Sequence, residues 1–337
     1  MKKHAIIPIF ISHRGCPNDC VFCNQKKITA REGDVTPDDV RATIDQWLTT
    51  LEGVETVEVS FYGGSFTGIP MDQQTAFLEV AKDYKDRGLI DMIHLSTRPD
   101  YIDRDILDNL KAHSVDVIEL GVQSFDDDVL RLSGRGHDAA CVYRACDLIK
   151  SYGFTLGIQL MIGLPGDSRE TCIHSVLETV KIHPEIARIY PTVTICGTEL
   201  YSMMERGEYQ PLPLEEAVTR AKEMFMILED AGINVIRVGL KASDIMDDQI
   251  GFHPAFRQLM ESEIARDAIE AQLKTISYGG EPLSVLVHAN SRSFGNIYGH
   301  KAMNKEYFQK KYPRLRLKGA LDDSLKDNEY ILTPESL

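Results

Sequence analysis

Cys16, Cys20 and Cys23 stand in the run Arg14-Gly15-Cys16-Pro17-Asn18-Asp19-Cys20-Val21-Phe22-Cys23, with three and then two residues between them. Three thiolates on one short loop suit three irons of a four-iron, four-sulfur cluster, and no fourth cysteine lies nearby to close the set. The open iron is then available to bind a reactant, as a catalytic cluster requires. A structural zinc site is the bland alternative, but it wants four ligands in paired Cys-x-x-Cys spacing, and His13 with this trio matches that poorly. A disulfide framework fits less well, because seven cysteines in 337 residues are few and odd in number.

Other chemistry-bearing residues recur where apolar runs end. Gly63 and Gly64 in Phe61-Tyr62-Gly63-Gly64-Ser65-Phe66 let main-chain groups approach a ligand, or simply turn the chain. Glu119 and Gln123 in Glu119-Leu120-Gly121-Val122-Gln123-Ser124 offer a carboxylate and an amide to hydroxyls or an amino-acid head group. Arg135, between Gly134 and Gly136, suits a bidentate carboxylate pair, although an Arg between glycines is commonly a solvated turn residue. Gln159 lies in an apolar run before Gly163-Leu164-Pro165-Gly166 and needs partners there. Arg98, in Ser96-Thr97-Arg98-Pro99-Asp100-Tyr101, serves a ligand or pairs with Asp100, and Tyr190 is either a rim group or core. Cys141, Cys146, Cys172 and Cys196 are scattered and read as small buried apolar residues. His253, His288 and His300 lack metal-ligand spacing.

These residues need a frame that gathers run ends at one rim. Strand-like and helix-like segments alternate to about residue 240: strands near 5–10, 57–61, 92–96, 115–121, 154–162, 187–193 and 233–238, with helices between them. Thr36-Pro37-Asp38-Asp39 is a strong helix start, with a capping Thr, Pro in the first turn and acids behind it. Such alternation implies a parallel sheet with helices outside, either a partial barrel or an open doubly wound sheet, with ligands at the carboxyl ends of the strands. The cysteine loop follows the first strand and falls at that end. Beyond 240 the rhythm changes to a long helix over 254–275, a strand over 284–287 and a basic stretch over 301–318, an α+β extension. Apolar residues at 43% and charged residues at 26% describe an ordinary globular chain, and no run approaches the roughly 18 apolar residues of a membrane span. The N-terminal apolar run reads as a first strand rather than a signal peptide, which implies a cytoplasmic, reducing compartment. A net charge of −14 argues against nonspecific nucleic-acid binding by the whole surface.

Taken in order, Cys-x3-Cys-x2-Cys, Gly-Gly-Ser-Phe, Ser-Thr-Arg-Pro-Asp-Tyr, Glu-Leu-Gly-Val-Gln-Ser and Gly-Leu-Pro-Gly resemble the radical S-adenosylmethionine (SAM) superfamily. The chain is most similar to the radical SAM domain of the Elongator catalytic subunit, a likeness strengthened by Arg188-Ile189-Tyr190-Pro191-Thr192 and Gly197-Thr198-Glu199-Leu200-Tyr201. The oxygen-independent coproporphyrinogen dehydrogenases come next, sharing the cysteine spacing, Gly-Val-Gln and Gly-Leu-Pro. The resemblance covers residues 5 to 240. It implies a partial (β/α)6-type barrel over 1–240 and a C-terminal extension, a candidate substrate element, over 241–337. It also implies a [4Fe-4S] cluster on Cys16, Cys20 and Cys23, and SAM chelated to the open iron. Phe22 then lies beside adenine, Gly63 and Gly64, with Ser65, at the methionine end, and Gln123, Arg135 and Gln159 along the rest of SAM. Gln159 departs from the coproporphyrinogen enzymes, which carry Asp there. One electron from the cluster breaks a carbon–sulfur bond of SAM, and the 5'-deoxyadenosyl radical takes a hydrogen from the substrate.

The chain departs from the Elongator subunit in leaving only about 100 residues after its radical domain, where that protein carries an acetyltransferase domain. Acetyl transfer by this chain alone is therefore not expected, and whether the enzyme is a transferase or an oxidoreductase stays open. Over 301–318, Lys301, Lys305, Lys310, Lys311, Arg314, Arg316 and Lys318 face one acid, Glu306, and aromatic Tyr307, Phe308 and Tyr312 are interleaved. This suits RNA, or else a solvated strand face. The leading expectation is modification of tRNA or another RNA by an enzyme with a reducing electron donor and no membrane partner. The alternatives are a porphyrin-like or other small-molecule substrate, and a non-catalytic iron-sulfur or zinc protein.

Overall fold

The computed structural model describes residues 3–11, 16, 20–23, 35–240, 249–276 and 282–335. By their internal contacts they form two units, one of 1–213 with 224–252 and one of 214–223 with 253–337. His13 and most of the residues between the cluster cysteines lie outside the described set.

In the first unit, strands β1 (His4–Ile11), β2 (Thr56–Gly63), β3 (Met92–Thr97), β4 (Val117–Gln123), β5 (Thr155–Ile162), β6 (Ile186–Pro191) and β8 (Asn234–Val238) pair in that order. Every pairing is parallel. The chain reaches each neighbouring strand through a crossover, as parallel strands must. The crossover helices include α1 (Pro37–Leu48), α2 (Met71–Asp86), α3 (Arg104–Ala112), α4 (Asp127–Leu132), α5 (Ala139–Ser151) and α6 (Arg169–Ile182). The start of α1 follows the sequence: the Thr36 hydroxyl accepts from the Asp39 N–H at 3.2 Å, and the Asp39 carboxylate accepts from the Thr36 N–H at 2.9 Å. A helix α7 (Glu199–Glu205) and a short pair, β7 (Thr194–Ile195) with β9 (Gln249–Ile250), complete the set around β8.

Alternation along each strand separates two faces. Ile7, Val59, Phe61, Ile93, Leu95, Ile118, Leu120, Ile158, Leu160 and Ile189 are essentially fully buried, as are Ile44, Leu78, Leu107, Ile149 and Val176 on the helices. This apolar layer is the core. The opposite face carries Glu58, Ser60, His94, Glu119 and Arg188, all buried as well. Curvature makes room for them. Four inter-strand steps separate β2 from β6, about 19 Å on a flat sheet, yet Arg188 on β6 donates Nη2–H to the Tyr62 hydroxyl on β2 at 3.3 Å. That face is therefore the concave side of a curled half-barrel, the first of the two architectures expected from the alternation.

The second unit holds a three-stranded sheet ordered β11 (Leu315–Leu321), β10 (Leu283–Ala289), β12 (Ile331–Pro334), with β11 parallel and β12 antiparallel to the centre. Helix α8 (Phe256–Thr275) contributes Met260, Ile264, Ile269 and Leu273 to its core, beside Val285 and Val287 of β10. Helix α9 (Met303–Lys311) adds Phe308. The expected strand over 284–287 extends by one residue at its start and two at its end.

Candidate active site at the carboxyl rim of the half-barrel

The ends of β1 and β2 set the approach. Ile11 pairs with Gly63, and Gly64 donates its N–H to the Ile11 carbonyl at 3.0 Å. Gly63 has φ of +114°, and a Cβ there would stand 2.4 Å from the Ile11 oxygen. The position admits only glycine. We expect Gly63→Ala to cost about 1–3 kcal/mol, the usual toll of such backbone strain, read as a fall in urea midpoint at unchanged m-value.

Ser65, next in line, is buried and does not face the rim as an open hydroxyl. It shares a 2.7 Å hydrogen bond with the Thr97 hydroxyl and accepts the Arg98 N–H at 3.3 Å. Its own main-chain N–H bonds the Cys16 thiol. Burial pushes the Cys16 thiol up, and the Arg98 charge offsets part of that rise.

Cys20 is the buried member of the cysteine trio, while Cys16 and Cys23 are half-buried. The loop is tied on both sides: Val21 donates to the Ser133 carbonyl at 3.1 Å, and Leu200 donates to the Val21 carbonyl at 2.7 Å. Phe22 is half-buried on that tied segment. The Cys20 sulfur accepts from Arg135 Nη1 at 3.3 Å and from Arg98 Nη1 at 3.9 Å. Arg98 spends the rest of its fork on Asp100, through Nε to Oδ1 and Nη2 to Oδ2, each at 2.9 Å, and on the Arg135 carbonyl. The pairing with Asp100 open in the sequence is thus real, and so is a second role beside the sulfur. Arg135 Nη2 in turn donates to the Gly121 carbonyl.

Gln123 ends β4 with φ of +74°, and the register against β5 slips between Gly121 and Gln123. A non-glycine residue in the left-handed region at a bulge is uncommon and is a usual mark of a functional position. Its side-chain oxygen is buried and accepts no hydrogen bond among the described residues. A Cβ on Gly121 would lie 3.1 Å from Gln123 Nε2 and 3.5 Å from Arg135 Nη2. Gly121, Gln123, Arg135 and Cys20 thus share one corner of the rim.

Glu119 and Gln159 lie deeper. Strand β4 runs two residues past the expected end, so Glu119 sits mid-strand on the concave face and is fully buried. Its Oε1 accepts from Gln159 Nε2, and its Oε2 lies 2.8 Å from Arg188 Nε and 3.4 Å from His94 Nε2. Gly157 makes the space, because a Cβ there would meet the Glu119 Cγ at 2.8 Å. The other His94 nitrogen lies 2.7 Å from Glu58 Oε1, whose Oε2 is 3.1 Å from His4 Nε2. Arg188 also reaches the Tyr190 hydroxyl at 3.2 Å and lies over the Tyr62 ring at 5.5 Å. Charges therefore alternate across the strands as Glu58, His94, Glu119, Arg188. Burial works against the His94 imidazolium, but its bonds to Glu119 and Glu58 prevail and raise its pKa to about 9. Burial likewise opposes the Glu119 carboxylate, yet Arg188 and His94 hold its pKa below the ordinary value.

Glu58, His94 and Arg188 are the residues that reading the sequence missed. Their signal was polar side chains at alternate positions, Glu58-x-Ser60-x-Tyr62, His94-x-Ser96 and Arg188-x-Tyr190, inside otherwise apolar strands. Cys146 and Cys172 are buried as expected; Cys141 is half-buried, and Cys196 is exposed, contrary to expectation, in the turn before α7. None of the seven cysteines is in a disulfide.

The Radical SAM superfamily model matches residues 10–178, and the Radical SAM C-terminal domain model matches residues 184–266. The chain belongs to the radical SAM superfamily. It is therefore an enzyme, and its cofactors are a [4Fe-4S] cluster and SAM. Among characterised relatives, the tRNA uridine(34) acetyltransferase of Methanocaldococcus infernus is 27% identical over 255 residues, 64% of this chain and 48% of that protein. Human Elongator complex protein 3 is also 27% identical, over 265 residues, again 64% and 48%. The chain spans about half the length of these curated relatives. In fold it resembles the archaeal Elp3 of M. infernus (TM-score 0.58, 22% identity, 72% of this chain and 61% of that one). It also resembles coproporphyrinogen III oxidase of Escherichia coli (TM-score 0.51, 17% identity, 80% and 59%).

The residues suit these radical SAM cofactors. Three thiols come from one loop beside the rim, two guanidiniums flank one of them, and a buried amide oxygen awaits a donor. Among the described residues, no three His, Cys, Asp or Glu side chains are already gathered as a metal cage.

Proposed function

We propose that this chain generates a 5'-deoxyadenosyl radical and uses it to modify a carbon of tRNA or another RNA. When bound, the cluster and SAM supply one-electron cleavage of a carbon–sulfur bond and hence that radical. Cys16, Cys20 and Cys23 hold the cluster, and folding of their loop is coupled to its binding. Arg135 and Arg98 donate to the Cys20 sulfur, which stabilises its thiolate and tunes the electron on the cluster. Gly63 and Gly64 leave space for the methionine end, Gln123 offers its unspent oxygen to a donor on SAM, and Phe22 lies along the adenine. Both Glu119 oxygens are engaged within the protein, so Glu119 orients Gln159 and leaves the contact to that amide. Residues 1–240 carry this chemistry and 241–337 serve the substrate. A one-electron donor is the second partner, and a reducing cytoplasm suits cysteines that form no disulfide.

The observation that carries the cofactor part is the corner of Gln123, Arg135 and Cys20, where a strained residue presents an unpaired buried acceptor beside a cysteine ligand. The RNA part is supported by relatives whose names are those of tRNA-modifying enzymes. The test is 5'-deoxyadenosine release by anaerobically reconstituted, reduced protein with SAM, with and without bulk tRNA. Strong stimulation by tRNA is expected. Slow release indifferent to tRNA would retain the enzyme class and remove RNA as substrate.

A further inference from the structure

Residues 267–337 lie beyond both matched family models, the second of which ends at residue 266. They contain the densest run of positive charge in an acidic chain, seven Lys and Arg against Glu306 alone over 301–318. The second unit sorts these seven into two kinds. Lys311 is committed: its ammonium lies 2.5 Å from Glu270, hydrogen-bonds the Tyr307 hydroxyl at 2.7 Å and lies near the Tyr307 and Tyr312 rings. Lys318 is committed too, with both Glu335 oxygens at 2.8 Å. Lys301, Lys305, Lys310, Arg314 and Arg316 are exposed and make no ion pair among the described residues.

The backbone around Lys310, Arg314 and Arg316 is tied into the second unit. Phe308 and Leu315 are buried, Tyr312 donates to the Phe308 carbonyl at 2.8 Å, and Leu315 donates to the Tyr312 carbonyl at 3.0 Å. The Arg314 carbonyl accepts from Leu283 at 3.2 Å, which ties the turn to the start of β10. Lys310 at the end of α9, Arg314 in the turn and Arg316 on β11 are thus successive exposed cations on a segment packed into the second unit. Cations on a sheet edge also discourage edge-to-edge pairing. That accounts for Arg316 on edge strand β11 but not for the lysines on and before the helix. In a protein with 51 acidic residues, exposed cations without carboxylate partners among the described residues are complementary to a polyanion.

We propose that Lys301, Lys305, Lys310, Arg314 and Arg316 bind the phosphate backbone of RNA, which rests on the reading of RNA as substrate and gives it a surface. Spread single charges suit a phosphodiester chain, whose affinity grows with each neutralised phosphate.

The test is fluorescence anisotropy of labelled bulk tRNA with the full-length protein over a salt series. The comparison is K301Q/K305Q/K310Q/R314Q/R316Q against a control of equal charge change in the first unit, K82Q/R87Q/K111Q/K150Q/K181Q. The surface variant should lose at least about tenfold in affinity, and its log–log salt slope should become shallower by about three. The control and K311Q/K318Q should change little. Unchanged affinity and slope in a surface variant with wild-type circular dichroism would overturn the proposal, as would equal losses in the control. If anionic phosphatidylserine vesicles bound as tightly as tRNA and were released by the same variant, the RNA assignment would also fall. Failure of the wild type to bind tRNA, with SAM cleavage intact, would sink the RNA reading and this surface together. Binding lost in the surface variant with tRNA-independent cleavage retained supports the surface.

Discussion

We expect Cys20→Ala to reduce 5'-deoxyadenosine formation to background and to leave iron well below the about four per chain of a full cluster. This is the largest loss expected from a single side chain, because the three-thiol set has no spare member. The structure adds a reason for choosing Cys20. It is the buried cysteine of the loop, and its sulfur accepts from Arg135 and Arg98. Removing it takes away a ligand and leaves two buried guanidinium donors short of an acceptor, so a stability cost accompanies the loss of iron. Cys141→Ala, on the outer helix α5, should leave iron content and the visible absorbance band unchanged. Iron and sulfide assays with anaerobic absorbance spectra decide the point, and a Cys20→Ala protein with full iron and activity would refute the ligand assignment.

The second large effect belongs to Glu119→Leu. The substitution leaves Arg188 as a buried charge without a carboxylate, leaves His94 with Glu58 alone and removes the nearer acceptor of Gln159, and breaking such a set by removing one partner costs about 3–5 kcal/mol. Glu119→Gln should cost less, because the amide fits the same space and still accepts a hydrogen bond. Urea unfolding measures both, and equal, small losses would mean that water replaces the carboxylate. His94 adds a pH signature. Its folded pKa of about 9 lies above its ordinary 6.5, so its charge contributes stability fully below about pH 6.5 and loses it as pH rises through about 9. Wild-type protein should therefore lose stability across that window, and Glu119→Leu should show a flatter profile.

Much of this was legible in the chain itself. The strand–helix rhythm and the capped start at Thr36 depend on short-range chemistry and appear where expected, and Gly63, read as a close approach or a turn, brings the chain against the Ile11 carbonyl. The position of Glu119 was misjudged because the glycine at 121 suggested a strand end, whereas β4 carries on through a bulge to Gln123. His94 and Arg188 escaped notice for a different reason. Each lies in a mostly apolar strand, and its importance arises from partners on other strands: Glu58 and Glu119 on the two neighbours of β3 for His94, and Glu119 and Tyr62 two and four strands away for Arg188. Periodicity says which face a residue occupies, but not that a sheet will curl until that face closes on itself. Ser65 shows another limit of the sequence, which cannot tell that its hydroxyl already bonds Thr97 and the Arg98 amide.

The bond from Arg188 to Tyr62 joins residues 126 positions apart. Contacts of such sequence separation form late, because loop-closure entropy must be met before they contribute. During synthesis, Glu58, His94 and Glu119 all emerge before the guanidinium that balances them. A nascent chain that stops short of β6 therefore holds two carboxylates against one imidazole on an open polar sheet, and the barrel can take its final curvature only once residue 188 has been made. Ribosome-stalled fragments ending just before and just after β6 should thus differ sharply in protease resistance across β2 to β4, although none of those strands changes in sequence.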